Sequence, residues 1–532
     1  MKRSDLPACL FLALVAALAG CARAHWPSAG HRHDDGVYLG TARALAEGRG
    51  YVLGDLPGTP PQTKYPPLYP ALLAGLWKLD PAFPDNLPLL KSFTLLCAAA
   101  FVALSHLFLV RFGYLSRAAS FGACLLAATA PYFADYATAL TSEMLFGLLC
   151  LALLWRLDAL RETPRPSFAS DALTGLLLGL PFLCRSIGGV FLPLGVLFLR
   201  GHGRSWVRPS IIAALLIAPW IAWTRTSAFA QQADPIEGYY TDYLGWYVSF
   251  GPPALARVVG LNAVMLSANV ARRPLEGVGT LLRQVGPAAE AVPMLFVGMI
   301  GLAALGERAR RGEALPLILL GYLLVVLVWP WEPSRFLLPF LPAIAGFVLA
   351  GLWQIAAPRL GETRTRLAGV LVVAVGVLGN SIDLGLRCWH VHAHSCPTGD
   401  DGKECGTWTD AREVIDWLEA HAAPDDLIAS GSDALLGLHT RRKAFYPIIC
   451  SPLSYIYGME ADAPFDASLA GLRRHQPRWL ATTAGVHGEK EFDAWVARLR
   501  AAFPANVKRV FAGTDPRFAV YEISYPLPEA KP

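Results

Sequence analysis

The feature that most restricts this chain is a series of apolar segments, each close to the length of a membrane span. A span needs about 20 mainly apolar residues to cross a hydrocarbon core of roughly 30 Å. About eleven segments meet that need, near 6–22, 88–110, 118–134, 140–155, 171–184, 186–199, 209–224, 289–305, 315–330, 336–354 and 367–385. Charged residues are only 16% of the chain and hydrophobic residues 54%, whereas a soluble domain carries roughly 25% charged residues. The expected fold class is therefore mainly α, a polytopic membrane helix bundle. The same apolar content excludes disorder. A net charge of +5 from scattered basic residues excludes nucleic acid as a partner, which would need a basic stripe. Ten cysteines in 532 residues are too few for a disulfide scaffold.

Orientation follows from the Lys/Arg content of short loops. With the N-terminus cytoplasmic, the inner loops carry Lys2 and Arg3, Arg111 and Arg117, Arg156 to Arg165, Arg200 to Arg208, Arg308 to Arg311, and Arg359 to Arg366. Cys184, Arg185 and Ser186 interrupt 171–199. That stretch reads as one broken helix or as two crossings, and the loop charges favour two. Three long segments then face outward: 23–87, 225–288 and 386–532. The expected organisation is a transmembrane domain over 1–385, with outer loops 23–87 and 225–288, followed by an extracytoplasmic domain over 386–532. The start, Met1-Lys2-Arg3 to Leu18-Ala19-Gly20-Cys21, fits a retained first span and also a lipoprotein signal lipidated at Cys21.

The first outer loop begins His31-Arg32-His33-Asp34-Asp35-Gly36-Val37-Tyr38. Apolar residues at helical spacing predict a surface helix that ends near Gly48, with Asp34 or Asp35 at its N-cap. Two adjacent carboxylates would stand in its first turn. They serve as caps or as chemistry. His31 and His33 suit a metal or a solvated interface. Further on, Lys64 lies among prolines that stiffen the backbone, as a phosphate contact or a headgroup anchor. A second amphipathic stretch covers 68–79.

These residues resemble a known loop. The entry Asp34-Asp35-x-x-Tyr38, then Gly48-x-Gly50-Tyr51, then Lys64-Tyr65-Pro66-Pro67-Leu68-Tyr69-Pro70 is similar to the first outer loop of GT-C glycosyltransferases. These polytopic enzymes use polyprenyl-phosphate-linked sugars, and the pattern is nearest to the lipid A aminoarabinose transferase and protein O-mannosyltransferase group. The resemblance implies a bacterial inner-membrane protein in which Asp34 is the catalytic carboxylate, with Asp35 beside it and Tyr38 one turn on. Lys64 would contact the donor phosphate. Glu143, at the start of the fourth span, matches the group's second acidic position; Thr141 as a plain cap is the competing reading. Arg335, in Trp329-Pro330-Trp331-Glu332-Pro333-Ser334-Arg335-Phe336-Leu337-Leu338-Pro339, is similar to an Arg-aromatic-Leu-Leu-Pro signature and would bind phosphate, unless it is an interfacial anchor. Arg185 ranks below it. Tyr239, Tyr240, Tyr243, Trp246 and Tyr247 read as an interface belt or as a platform for a sugar face on the acceptor side, the belt being favoured, and 252–285 as surface helices.

Beyond 386 spans end and charge returns. A helix over 407–421, strands at 427–430, 479–482 and 517–523, and a helix over 490–502 predict a small α/β domain. The tract Cys388 to Cys396 with Cys405 suits one disulfide, with Cys450 a further partner, or less well a metal site.

Together these features imply transfer of a sugar from a polyprenyl phosphate to a lipid, glycan or protein hydroxyl at the outer face. Asp34 acts as base, Asp35 and Glu143 assist, and Lys64, Arg335 and Tyr38 hold the phosphate. This chemistry requires no cofactor and leaves room for a divalent metal. The rival reading is a lipid or glycan transporter, which would carry ionisable residues deep in its spans.

Overall fold

A computed structural model describes residues 5–162, 167–228, 235–241, 251–395, 407–448, 453, 456–458, 465–483 and 489–528. The chain divides into two compact units, each drawn from three separated stretches. One comprises 1–24, 91–221 and 252–388; the other comprises 25–90, 222–251 and 389–532.

The first unit is helical. Across the described residues seven helices are long and apolar enough to cross a membrane: Leu6–Arg23, Leu87–Arg111, Val207–Ser227, Pro252–Arg272, Pro287–Ala309, Pro333–Leu360 and Glu362–His394. Six coincide with segments read from the sequence. Shorter apolar helices cover Phe168–Cys184, Ser186–Gly201 and Ala314–Leu327. The protein is thus a multi-pass membrane protein. The stretch 171–199 is two antiparallel pieces, not one long helix. The chain turns at Arg185, and Gly195 comes back against Leu178 so closely that a Cβ there would lie 2.3 Å from its side chain.

The reading of 252–285 as surface helices needs correction. Pro252–Arg272 meets the length and hydropathy criterion of a span and packs lengthwise on Pro287–Ala309. Gly298 makes this approach possible, since a Cβ there would lie 1.6 Å from the Ser267 carbonyl oxygen. Two asparagines depress the apparent hydropathy, yet both are buried and bonded. Asn262 Nδ2 donates to the carbonyls of Leu327 at 3.0 Å and Trp329 at 2.8 Å, groups left open where the helix Ala314–Leu327 ends. Asn269 Nδ2 donates to Ser334 Oγ at 2.8 Å.

Ions inside this unit are gathered. Arg387 reaches Glu276 at 3.1 Å, Asp383 at 3.3 Å and Asp135 at 3.7 Å. Asp135 also pairs with Arg23. Glu276 also meets Arg273 at 3.2 Å and accepts the Tyr132 N–H at 2.8 Å. These groups tie together the helices Leu6–Arg23, Pro131–Ala137, Glu276–Val285 and Glu362–His394.

The second unit is built on a five-stranded sheet: β1 (Ile428–Ser430), β2 (Ala444–Phe445), β3 (Trp479–Thr482), β4 (Val507–Ala512) and β5 (Ala519–Ile523), in the order β2-β1-β3-β5-β4. β1 is parallel to β2 and β3, while β5 is antiparallel to β3 and β4. Side chains alternate across the strands. Leu480 and Tyr521 join Phe492, Val496 and Leu499 in one core; Trp479, Ala481 and Val520 join Val414, Ile415, Leu418 and Leu435 in the other. Helices Phe465–His475 and Glu489–Ala502 cover the first face, and Trp408–His421 and Asp433–Thr440 the second. Leu53, Leu56 and Tyr240 enter the first core, so the early loop folds as part of this unit.

Removing one partner from a buried ion network leaves uncompensated charge and costs roughly 3–5 kcal/mol. Arg387→Met is therefore expected to lower the unfolding temperature of detergent-purified protein markedly, measured by differential scanning fluorimetry. An unchanged transition would show that the network is not needed for stability.

Candidate functional site

The loop between the first two long helices begins its helix at Asp34, which runs Asp34–Ala46 and then stops at Gly48, where φ is +75°. The predicted helix is present, but it is buried over most of its length and is not a surface helix, and its cap differs. Its N-cap is His33, not an aspartate, and Asp34 and Asp35 are the first helical residues. His33 has φ 58° and ψ −61°, a conformation that costs a non-glycine residue on the order of 1–3 kcal/mol and tends to occur at functional sites.

The two carboxylates diverge. Asp35 is buried and accepts the N–H groups of Gly30 at 2.8 Å, Arg32 at 2.9 Å and Gly36 at 3.0 Å. Burial pushes its carboxyl up, against the pull of those N–H groups and Arg32. It therefore closes the turn before the helix. Asp34 is half-buried, and its Oδ1 accepts the Tyr65 hydroxyl. Tyr38 is 2% exposed and packs its ring on Tyr65 and Tyr69, at centroid distances of 4.8 and 5.1 Å. It thereby fixes the ring that carries the Asp34 partner.

Lys64 precedes Tyr65, and its Nζ lies 5.8 Å from the Tyr65 ring centre and 5.3 Å from that of Tyr239. Burial lowers its pKa, although Asp34 and Asp433 act the other way. The turn holding Lys64 and Tyr65 hangs on Gln62, which is fully buried. The Gln62 Oε1 accepts the N–H of Lys64 at 2.9 Å and of Tyr65 at 3.2 Å, and its carbonyl accepts the Trp223 indole at 2.9 Å. The Tyr51 hydroxyl donates to the Tyr65 carbonyl at 2.7 Å. Helix Asp34–Ala46 packs on Leu68–Leu79 and on Asp433–Thr440, which brings Asp433 to His33 Nδ1 at 3.5 Å. Sequence reasoning missed Gln62, Tyr65 and Asp433 as site-forming residues. Tyr65 lay within the quoted Lys-Tyr-Pro-Pro motif and was recoverable from it. Asp433 is nearly 400 residues away in the chain and carries no local signal.

In the membrane unit a second polar cluster forms around Glu143, the first residue of the helix Glu143–Glu162. Glu143 is 1% exposed, and its Oε1 lies 2.6 Å from both Arg185 and Arg335. Arg185 also donates to Ser142 Oγ at 3.2 Å and lies over the Phe336 ring. Two guanidinium groups around one carboxylate leave a net positive charge. Arg185, ranked low from sequence, is an equal partner with Arg335 because the turn between the helices at 168–201 points it at Glu143.

His31 does not join His33; its ring packs edgewise on Trp408 at 5.5 Å. Among the described residues no group of three His, Cys, Asp or Glu side chains could hold a metal. The Cys388 thiol is free, and Cys21 is an exposed residue of the first helix. The proposed bond partners Cys396, Cys405 and Cys450 lie outside the described residues.

No family model matches the sequence, and no curated protein matches it. Solved structures do. ArnT from Cupriavidus metallidurans in the apo state aligns over 96% of both chains at 14% identity, with a TM-score of 0.54. The same protein bound to undecaprenyl phosphate aligns over 98% of both, with a TM-score of 0.53. The Archaeoglobus fulgidus oligosaccharyltransferase in its apo form aligns over 98% of this chain and 75% of its own at 12% identity, with a TM-score of 0.57. At these identities the likeness is one of fold, and it extends over nearly the whole chain: this protein has the GT-C architecture that its first outer loop resembles.

Proposed function

We propose that this protein is a membrane glycosyltransferase that moves a sugar from a polyprenyl-phosphate donor to a hydroxyl of an envelope lipid, glycan or protein. The observation that carries this reading is that Asp34, at the start of its helix, accepts the hydroxyl of Tyr65 on the Gln62-held turn that also carries Lys64, in a chain with this fold. A carboxylate that takes a proton, a phenol that holds it in place and a cation suited to phosphate are the groups this transfer needs. That solved relatives in fold hold undecaprenyl phosphate, or a dolichol-phosphate together with an inhibitory peptide, supports the donor class.

In this mechanism Asp34 accepts the proton of the acceptor hydroxyl as its oxygen attacks the anomeric carbon. The bond from that carbon to the phosphate oxygen breaks, and its electron pair leaves with the phosphate. Such proton transfer contributes about 100- to 10,000-fold. Lys64 offsets the charge gathering on the phosphate. Attack opposite the leaving group inverts the anomeric centre. Asp35 acts by holding the turn and Tyr38 by fixing the Tyr65 ring. Within the membrane unit, Arg335 and Arg185 outnumber the one Glu143 carboxylate they share, which leaves a positive group of a kind that suits an anion. These steps need only side chains of this protein. The reading places the site on the extracytoplasmic face of a bacterial inner membrane, with the N-terminus in the cytoplasm.

The direct test is transfer of radiolabelled sugar from lipid-linked donors in membranes. Asp34→Asn is expected to reduce transfer by about 100- to 10,000-fold while unfolding at the wild-type temperature; a folded variant with wild-type transfer would remove Asp34 as the base. Asp35→Ala should show the opposite pattern: lower thermal stability, because buried N–H groups lose their acceptor at about 1–3 kcal/mol each.

Tyr65→Phe deletes one hydrogen bond to a charged group, worth roughly 1.5–3 kcal/mol. The expected loss is about ten- to a hundredfold in kcat, with the fold intact by circular dichroism. An unaltered kcat would mean that the phenol does not hold the base.

A further inference from the structure

The mechanism above makes no use of His33, yet this residue has the strained backbone, stands directly before the base and faces a buried acid. Its Nδ1 lies 3.5 Å from Asp433 Oδ1, with the imidazole 28% and the carboxylate 3% exposed. Asp433 Oδ2 accepts the Tyr240 hydroxyl, which itself accepts the Tyr446 N–H at 2.8 Å. Among the described residues Oδ1 has no hydrogen-bond partner; the imidazole faces it at 3.5 Å, and the Lys64 ammonium also interacts with this carboxylate. A buried carboxylate is costly without such a charge. The His33 ring also lies 6.4 Å from the Tyr239 ring, the same ring that Lys64 approaches from 5.3 Å. The imidazole and the ammonium thus flank one tyrosine beside Asp34.

We propose that His33, aimed by Asp433, is a second cation for the lipid phosphate and acts together with Lys64. This rests on the glycosyltransferase reading and deepens it, by adding a phosphate contact and a positioning residue from the C-terminal domain. The imidazolium exchanges no proton in the reaction; it offsets charge on the phosphate as the bond to the sugar breaks. Asp433 touches no substrate and works through the orientation and charge of His33.

The arrangement makes phosphate binding pH-dependent. Burial lowers the His33 pKa, but Asp433 and then Asp34 raise it by more, with Lys64 opposing; the net direction is upward. Tyr239 and Tyr240 are the other titratable groups against the ring. A raised pKa keeps the cation to higher pH than in a free histidine, and the charge is lost as pH rises through that value. The lipid phosphate gains charge over a similar range, at a pKa of about 6. The informative quantity is therefore the ratio of wild-type to variant affinity at each pH.

The experiment measures undecaprenyl phosphate binding to the detergent-purified full chain from mildly acid to mildly alkaline pH. The wild-type to His33→Gln ratio is expected to be on the order of tenfold at acid pH and to fall toward one at alkaline pH. Asp433→Asn should move the midpoint of that fall to lower pH. His33→Arg should bind at all pH values with no such fall, which also covers the case in which His33→Gln does not fold. Lys64→Arg should leave the midpoint in place, which separates the two cations. A ratio that is constant with pH, or a midpoint unmoved in Asp433→Asn, overturns the role of His33 alone. Absence of wild-type binding at every pH overturns the glycosyltransferase reading and this inference with it.

Discussion

Charge removed from water must find a partner, and in a bundle this apolar that rule arranges nearly every ionisable group. An isolated buried ion costs several kcal/mol even after relaxation. Glu143 is accordingly gripped by Arg185 and Arg335. Arg387 collects Glu276, Asp383 and Asp135. In the other unit Asp433 meets His33 and Tyr240. Glu143 stands at the first residue of its helix and Arg185 at the turn after Phe168–Cys184.

The same rule separates the two adjacent aspartates. Asp35 turns inward and is satisfied by three backbone N–H groups. Asp34 accepts the Tyr65 hydroxyl and is half-buried. Preorganisation around it comes from neutral groups: Gln62 holds the Lys64–Tyr65 turn, Tyr51 holds the Tyr65 carbonyl, and Tyr38 packs on the Tyr65 ring. In the proposed transfer, a turn fixed before substrate arrives would remove the entropic cost of aligning Asp34 with Lys64.

Local patterns were readable where a single segment decides the outcome. The helices Asp34–Ala46 and Leu68–Leu79, and the strands at Ile428–Ser430 and Trp479–Thr482, follow from periodicity within a dozen residues, although Asp34–Ala46 is buried over most of its length and does not lie at a surface. In Pro252–Arg272 the polar Asn262 and Asn269 depress the hydropathy, and only the acceptors that other segments bring to their Nδ2 groups let them be buried. β2 and β4 were missed for related reasons. β2 is two residues long and exists through its pairing with β1, while β4 is largely exposed at the sheet edge and lacks an apolar face.

What the sequence determined by itself is the class of fold and the chemical character of the first loop, because span length, loop charge and the Asp-Asp-x-x-Tyr and Lys-Tyr-Pro-Pro patterns are local properties of the chain. Tertiary structure alone decided which of two neighbouring carboxylates is engaged by backbone and which is held by a phenol. It likewise decided that Arg185 is the equal of Arg335, and that Asp433 stands beside His33. Those outcomes depend on groups brought together from dozens to hundreds of residues apart. The energy that selects them, the need of each desolvated charge for a partner, acts through space and leaves no trace in sequence spacing.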